Sequence, residues 1–262
     1  MKSKITLKSI INDKVSGSSE ILGKLNYYLL QYSDNIPKLK NDLKKIKKEI
    51  TGFAVINNYV SNIEPILKDR NQKELKEYLT NFSTDKDEEY NKIYDNARRY
   101  LSKFNTILTL SNSKTLLEVF KIWSNENKKL RIIVCESRPK KEGIIFAKAL
   151  TKENIKVNLI TDASISNYIE NSDAVIIGAD IILKNGNVVN KTGSRNAATI
   201  CRYFKKPFIV LATKDKFTNK KTYKPIAENP GEILNKSPKN ISVHNYYFEE
   251  IEKSLITKII TD

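Results

Sequence analysis

The chain is poor in the residues that most often hold metals and build cofactor cradles. His244 is its only histidine, and Cys135 and Cys201 are its only cysteines, far apart in the sequence. No Cys/His cluster with metal-ligand spacing can be assembled from them, so neither a metal nor a cofactor is expected. Two isolated thiols suit a reducing interior rather than a disulfide framework. His244 falls in a late strand-like run and reads as structural. Glycine is scarce, at 8 residues, and neither Gly-x-Gly-x-x-Gly nor Gly-x-x-x-x-Gly-Lys-Ser/Thr occurs, which excludes the usual dinucleotide and P-loop signatures. No apolar run approaches the ~20 residues that span a bilayer. The basic start Met1-Lys2-Ser3-Lys4-Ile5 has no apolar segment behind it, so no signal peptide is read and a cytoplasmic, non-membrane protein is expected.

Acidic residues are outnumbered, 30 against 46 lysines and arginines, for a formal charge of +16. Such an excess attracts nucleic acid by displacing counterions from phosphates. The excess is mostly lysine spread along the chain with much Asn and Ile, and no Arg-Gly-Gly run or basic–aromatic ribbon accompanies it. RNA is therefore a partner suggested by charge alone. What is present is ordinary globular material: 40% hydrophobic and 9% aromatic over 262 residues, enough for one large core or two smaller ones.

Periodicity divides the chain. Ser18-Ser19 before Ile21, Leu22, Leu25 and Leu29 reads as a capped amphipathic helix. Leu39, Leu43, Ile46 and Ile50 follow one helical face, as do Phe53, Ile56, Val60 and Ile63, with Pro65 at or near that segment's end. Tyr90, Ile93, Tyr94, Ala97, Tyr100 and Leu101 form another such face, and the polar run from Ser83 to Glu89 between them reads as a loop. From about residue 105, short apolar runs alternate with helical patterns. The runs are 106–110, 131–135, 157–160, 174–178 and 208–212, and helices are expected over 115–123 and 143–150. This alternation predicts a parallel sheet covered on both faces. The expected organisation is a helical N-terminal domain over 1–104 and a Rossmann-like α/β domain over 105–262.

In such a sheet ligands bind beyond the C-terminal ends of the strands, and there the unusual residues fall. Four clusters follow strand ends: Leu110 to Lys114, Cys135 to Pro139, Gly178 to Asp180 with Asn190 to Ser194 after it, and Ala212 to Phe217. The first offers hydroxyls and helix-terminal N–H groups to an anion, although taken alone an ordinary helix cap is the better account. Asn185-Gly186 is a strong turn signal that would fold Asp180 and Asn190-Lys191 back toward one another.

The order and spacing of Val134-Cys135-Glu136-Ser137-Arg138-Pro139, Gly143, Thr161-Asp162-Ala163, Gly178-Ala179-Asp180, Asn185-Gly186, Asn190-Lys191-Thr192-Gly193-Ser194 and Lys216-Phe217 resemble one family. It is that of the alpha, beta and delta subunits of translation initiation factor 2B, which includes ribose-1,5-bisphosphate isomerase and methylthioribose-1-phosphate isomerase. The resemblance is specific over roughly residues 105 to 220. In the isomerases a cysteine and an aspartate move protons between C1 and C2 of a phosphorylated sugar, and Asp180 matches that aspartate. Asn190, Lys191 and Lys216 match substrate-holding positions. The family's Thr-His-Cys-x-Ser segment reads Thr109-Leu110-Ser111-Asn112-Ser113 here, which puts Ser111 at the cysteine position and implies ligand contacts for Ser111 and Ser113. A serine hydroxyl needs a partner base where a thiol does not, and Leu110 replaces the neighbouring histidine. Two phosphate-clamping arginines are also missing, since Ser16-Gly17-Ser18 and Thr51-Gly52-Phe53 stand where the family has Arg-Gly-Ala and Arg-Pro-Thr or Arg-Pro-Ser. Cys135 matches a threonine and reads as a small buried residue.

The resemblance implies a non-catalytic protein that self-associates as a dimer or higher oligomer, contacts translation initiation factor 2, and keeps a pocket for a sugar or nucleotide phosphate. The alternative is an aldose–ketose isomerase of the ribose-1,5-bisphosphate type with Asp180 as its acid–base residue. A second alternative is an RNA-binding module.

Overall fold

Residues 5–13, 16–50 and 53–262 are described by a computed structural model. The chain opens with helices α1 (Leu7–Ile11), α2 (Ser18–Gln31), α3 (Ile36–Glu49), α4 (Ala54–Lys68) and α5 (Gln72–Leu101). Side-chain caps start three of them: Thr6 and Ser9 form a capping box, Asn35 accepts from Lys38 N–H, and Asn71 accepts from Glu74 N–H. Leu22, Leu25, Leu29, Leu39, Leu43, Ile46, Ile56, Val60 and Ile63 meet in one buried cluster, as their spacing requires.

Two local expectations fail here. The polar run from Ser83 to Glu89 is not a loop, because α5 passes through it unbroken. It contains no Gly or Pro to stop a helix, and Lys86 is held by Glu89 one turn on and by Asp215 at 2.6 Å. Ser18-Ser19 do not cap α2: Gly17 is the cap residue and Ser18 is the first helical position. Pro65 lies inside α4, three residues before its end at Lys68.

After α5 come β1 (Thr106–Thr109), α6 (Lys114–Glu126), β2 (Arg131–Cys135), α7 (Glu142–Lys152), β3 (Lys156–Ile160), α8 (Ile165–Ile169), β4 (Ala174–Ile177), β5 (Ile181–Ile182), β6 (Val188–Lys191), α9 (Ser194–Tyr203), β7 (Phe208–Leu211), β8 (Phe248–Ile251) and β9 (Lys258–Ile260). Six strands form one parallel sheet in the order β3-β2-β1-β4-β7-β9. β5, β6 and β8 form a small antiparallel sheet beside it. His244 is in neither, and sits exposed in an irregular segment just before β8.

Strand alternation sends side chains to two cores. Ile107, Ile132, Val134, Ile176, Ile209 and Leu211 face one, while Leu108, Ile133, Cys135, Val175, Ile177 and Val210 face the other. Tyr90, Ile93, Tyr94, Ala97 and Leu101 of α5 pack into the first of these, although Leu75 and Leu79 of the same helix belong to the helical cluster. α5 thus fixes the helices onto the sheet. The chain leaves β1 toward one edge and returns at β4 to build the other, so the strand order reverses between β1 and β4. In open α/β sheets a ligand crevice forms at such a switch point.

Candidate functional site

At that switch point lies a narrow cleft of about 40 Å³. Its walls come from the ends of β1 and β4, the start of α2, the hairpin of β5 and β6, and the short turn after β7. All six residues singled out in the sequence, Ser111, Ser113, Asp180, Asn190, Lys191 and Lys216, line it. Three of the four strand-end clusters reach the cleft. The stretch from Cys135 to Pro139 does not line it and works as a latch: Ser137 and Arg138 N–H donate to Asp162 at 2.8 and 2.7 Å. Ser137 Oγ in turn accepts from Ser111 N–H at 2.7 Å. Ser111 and Ser137 both have positive φ, 68° and 64°. That conformation is uncommon for serine, and their mutual hydrogen bond helps to hold it.

The turn read from Asn185-Gly186 is present. Gly186, at φ 84°, donates its N–H to Leu183 O at 2.8 Å, and β5 pairs with β6. Asp180 N–H donates to Val189 O at 2.9 Å, so the hairpin brings Asp180 beside Asn190-Lys191. Ser113 is the α6 cap residue, accepting from Leu116 N–H, and lines the cleft at the same time. Asn190 is spent on structure in part, its amide donating to Ser194 Oγ at 3.1 Å.

Lys216 is fully buried, and its ammonium donates to Ser18 Oγ at 2.6 Å. Ser18 Oγ donates to Asp180 Oδ1 at 2.9 Å, which makes one chain, Lys216–Ser18–Asp180. Burial pushes the Asp180 carboxyl above its ordinary range against the pull of Lys216 and Lys191. Burial likewise pushes the Lys216 ammonium down, against Asp215 and Asp180. Behind Lys216, Asp215 is held below its usual value, because Lys216 and Lys86 outweigh its own burial. The floor of the cleft is therefore a buried carboxyl joined through Ser18 to a buried lysine.

Sequence reasoning missed two members of this site. The sequence around Ser18 reads as a helix cap, and only the packing of α2 against the sheet reveals Ser18 as the bridge. Glu142 has no distinguishing pattern in the sequence. It opens α7, is 2% exposed, and its Oε1 lies 2.6 Å from Lys191 Nζ. The Lys191 ammonium also sits 4.8 Å from the Phe248 ring centre and 4.9 Å from that of Tyr247. The only sequence sign was a carboxylate beside Gly143, whose Cα lies so close to β2 that an added Cβ would be 1.8 Å from Cys135 O. Of the two segments where arginines are missing, Ser16-Gly17-Ser18 does border the cleft, as does Phe53, while Thr51 and Gly52 lie outside the described residues. Cys135 is buried, its thiol pushed up to about 12 by burial. Among the described residues no group of three His, Cys, Asp or Glu is placed to hold a metal ion, and no helix is long and apolar enough to cross a membrane.

A translation initiation factor eIF-2B subunit 2-like protein of Pyrococcus furiosus is 30% identical over 226 residues, 84% of this chain and 81% of that protein. Ribose 1,5-bisphosphate isomerase of Methanocaldococcus jannaschii is 27% identical over 275 residues, covering 99% of this chain and 89% of that one. The crystal structure of translation initiation factor eIF-2B from Pyrococcus horikoshii superposes with a TM-score of 0.82 at 23% identity, over 97% of this chain and 93% of that one, a likeness of fold. The model of the Initiation factor 2 subunit family matches residues 7–262, from α1 to the last strand, and this chain belongs to that family.

Proposed function

We propose that this chain is a non-catalytic member of the family, acting through protein–protein contacts with translation initiation factor 2 and with further copies of itself, and keeping a pocket for a phosphorylated ligand. The observation that carries the reading is Ser111. It stands at the position where the isomerases resembled here use a thiol, and among the described residues neither a carboxylate nor an imidazole hydrogen-bonds its hydroxyl. A serine without a base is a poor nucleophile and a poor proton carrier. Self-association is supported by the segment 218–247, which leaves Ile226, Ile233, Leu234, Ile241 and Tyr246 between 38% and 50% exposed.

The isomerase reading has one observation in its favour, the raised carboxyl of Asp180 beside Lys216, a pairing suited to general acid–base work. Turnover of ribose 1,5-bisphosphate by the purified protein, with Asp180→Asn and Ser111→Cys in parallel, separates the two. The expected result is no turnover in the parent or in Asp180→Asn, together with co-elution of the parent with translation initiation factor 2 on size exclusion. Turnover in the parent that vanishes in Asp180→Asn overturns the non-catalytic reading. Absence of any complex removes the proposed mode of action. Turnover confined to Ser111→Cys is consistent with the reading and assigns the loss to the missing thiol.

A further inference from the structure

The starts of the six parallel strands lie together at the end of the sheet opposite the cleft. A hollow of about 420 Å³ opens there, lined by Asn105, Thr106, Lys128, Lys129, Arg131 and Lys156. Its charged residues are all cations, and all of them are exposed. Lys128 has a local task at the end of α6, donating to Ser124 O at 3.1 Å. The side chains of Lys129, Arg131 and Lys156 make no ion pair or hydrogen bond among the described residues. Asp173 accepts from the N–H groups of Asn105 and Thr106 at 2.7 and 2.8 Å, and so serves the backbone rather than a cation.

Strand register makes this arrangement costly. Arg131 on β2 stands directly beside Lys156 on β3, with Thr106 of β1 on its other side. Neighbouring strands run about 4.8 Å apart, and like charges directly opposite one another destabilise a sheet. Lys86 and Lys191 are answered by carboxylates, whereas this row is not. A local conflict left uncompensated is expected where a surface is shaped for a partner.

The lining identifies the partner's chemistry. No aromatic or aliphatic residue borders the hollow. The centres of protein interfaces are rich in aromatics and depleted in lysine, whereas nucleic-acid interfaces are polar and strongly positive. With no ring for a base to stack on, contacts fall on phosphates, which carry no sequence information. We infer that the starts of β1, β2 and β3 form a binding surface for the phosphodiester backbone of a nucleic acid, with Lys129, Arg131 and Lys156 as its phosphate contacts. This surface is separate from the cleft and does not depend on the function proposed above.

Fluorescence anisotropy of the full chain with a labelled single-stranded RNA of mixed sequence, between about 50 and 200 mM salt, tests it. Lys129→Gln, Arg131→Gln and Lys156→Gln together are expected to weaken binding about tenfold or more at the lower salt. Three lost phosphate contacts also flatten the dependence of log K on log salt by about 2. Lys44→Gln, Lys45→Gln and Lys48→Gln remove the same charge from exposed positions on α3, and are expected to cost less than about threefold. Arg131→Gln alone is expected to cost about threefold, and it carries the test if the first triple folds poorly. Equal losses in the two triples overturn the inference, because net charge then accounts for binding. So does a folded Arg131→Gln that binds like the parent, or a parent that leaves the RNA unbound at the lower salt. A poly-glutamate of matched charge that competes as well as unlabelled RNA overturns the nucleic-acid assignment in favour of an acidic polypeptide.

Discussion

Asp180 shows how a single side chain combines function with a cost in stability. Its carboxyl is raised by burial, so between the ordinary carboxylate value and its own, the native chain holds a proton that the unfolded chain has lost. Stability from this group therefore falls as pH rises through that window, and below the window both states are protonated and the difference disappears. Asp180→Asn removes the titration. Thermal unfolding followed upward from pH 4 is expected to show the variant gaining on the parent as pH rises above the ordinary carboxylate value, each 1 kcal/mol appearing as about 2–4 °C in Tm. A gap between the two that stays constant across the range would refute the assignment. At this scale the sequence was informative where a resemblance gave the position, as for Asp180, Lys191 and Lys216. It was silent on Ser18 and Glu142, because a serine ahead of an apolar helix and a glutamate at a helix start both have common local explanations. Only the cleft shows that one bridges Asp180 to Lys216 and the other faces Lys191.

Elements were legible where their period was long and undisturbed. β1, β2, β3, β4 and β7 match the sequence runs within a residue or so at each end, because near-continuous Ile and Val runs between helical patterns admit few other arrangements, while β5, β6, β8 and β9 carry no such run. α5 was misread in its middle for a tertiary reason: Lys86 is tied to Asp215, a residue far away in the sequence. The late run around His244 forms only an isolated antiparallel bridge, Tyr246 with Ala227, among the described residues, so His244 itself stays in irregular backbone. α7 docks closely on β2. Gly143 gives it room, since a Cβ there would sit 1.8 Å from Cys135 O and 2.9 Å from its carbonyl carbon. β2 lies between β1 and β3 and cannot yield cheaply. Gly143→Ala is expected to cost about 3 kcal/mol, which lowers Tm by roughly 6–12 °C in circular dichroism melts. A loss below 1 °C would mean that α7 shifts freely, and would also undercut the placement of Glu142, the residue before it.

For the molecule as a whole, both thiols report on the same core. Cys135 and Cys201 are buried in the cluster on one face of the sheet, each pushed up to about 12 by burial. Neither is expected to react with a disulfide reagent at pH 8 in the native state, while two thiols per chain react after unfolding. One fast-reacting thiol in the native protein would contradict this packing. The close join of helices to sheet is visible again at Gly17, where an added Cβ would lie 2.6 Å from Asn112 O, so the start of α2 rests directly on the loop after β1. That contact carries Ser18 into the cleft. The sequence by itself determined the succession of helices then alternating strands, the sheet edge where ligand chemistry gathers, and the serine at position 111, because periodicity, strand ends and residue type are local properties. Tertiary structure alone decided that Ser18 joins Lys216 to Asp180 and that Glu142 pairs with Lys191. Those are properties of distance and desolvation between residues up to 198 positions apart, and a linear pattern does not encode them.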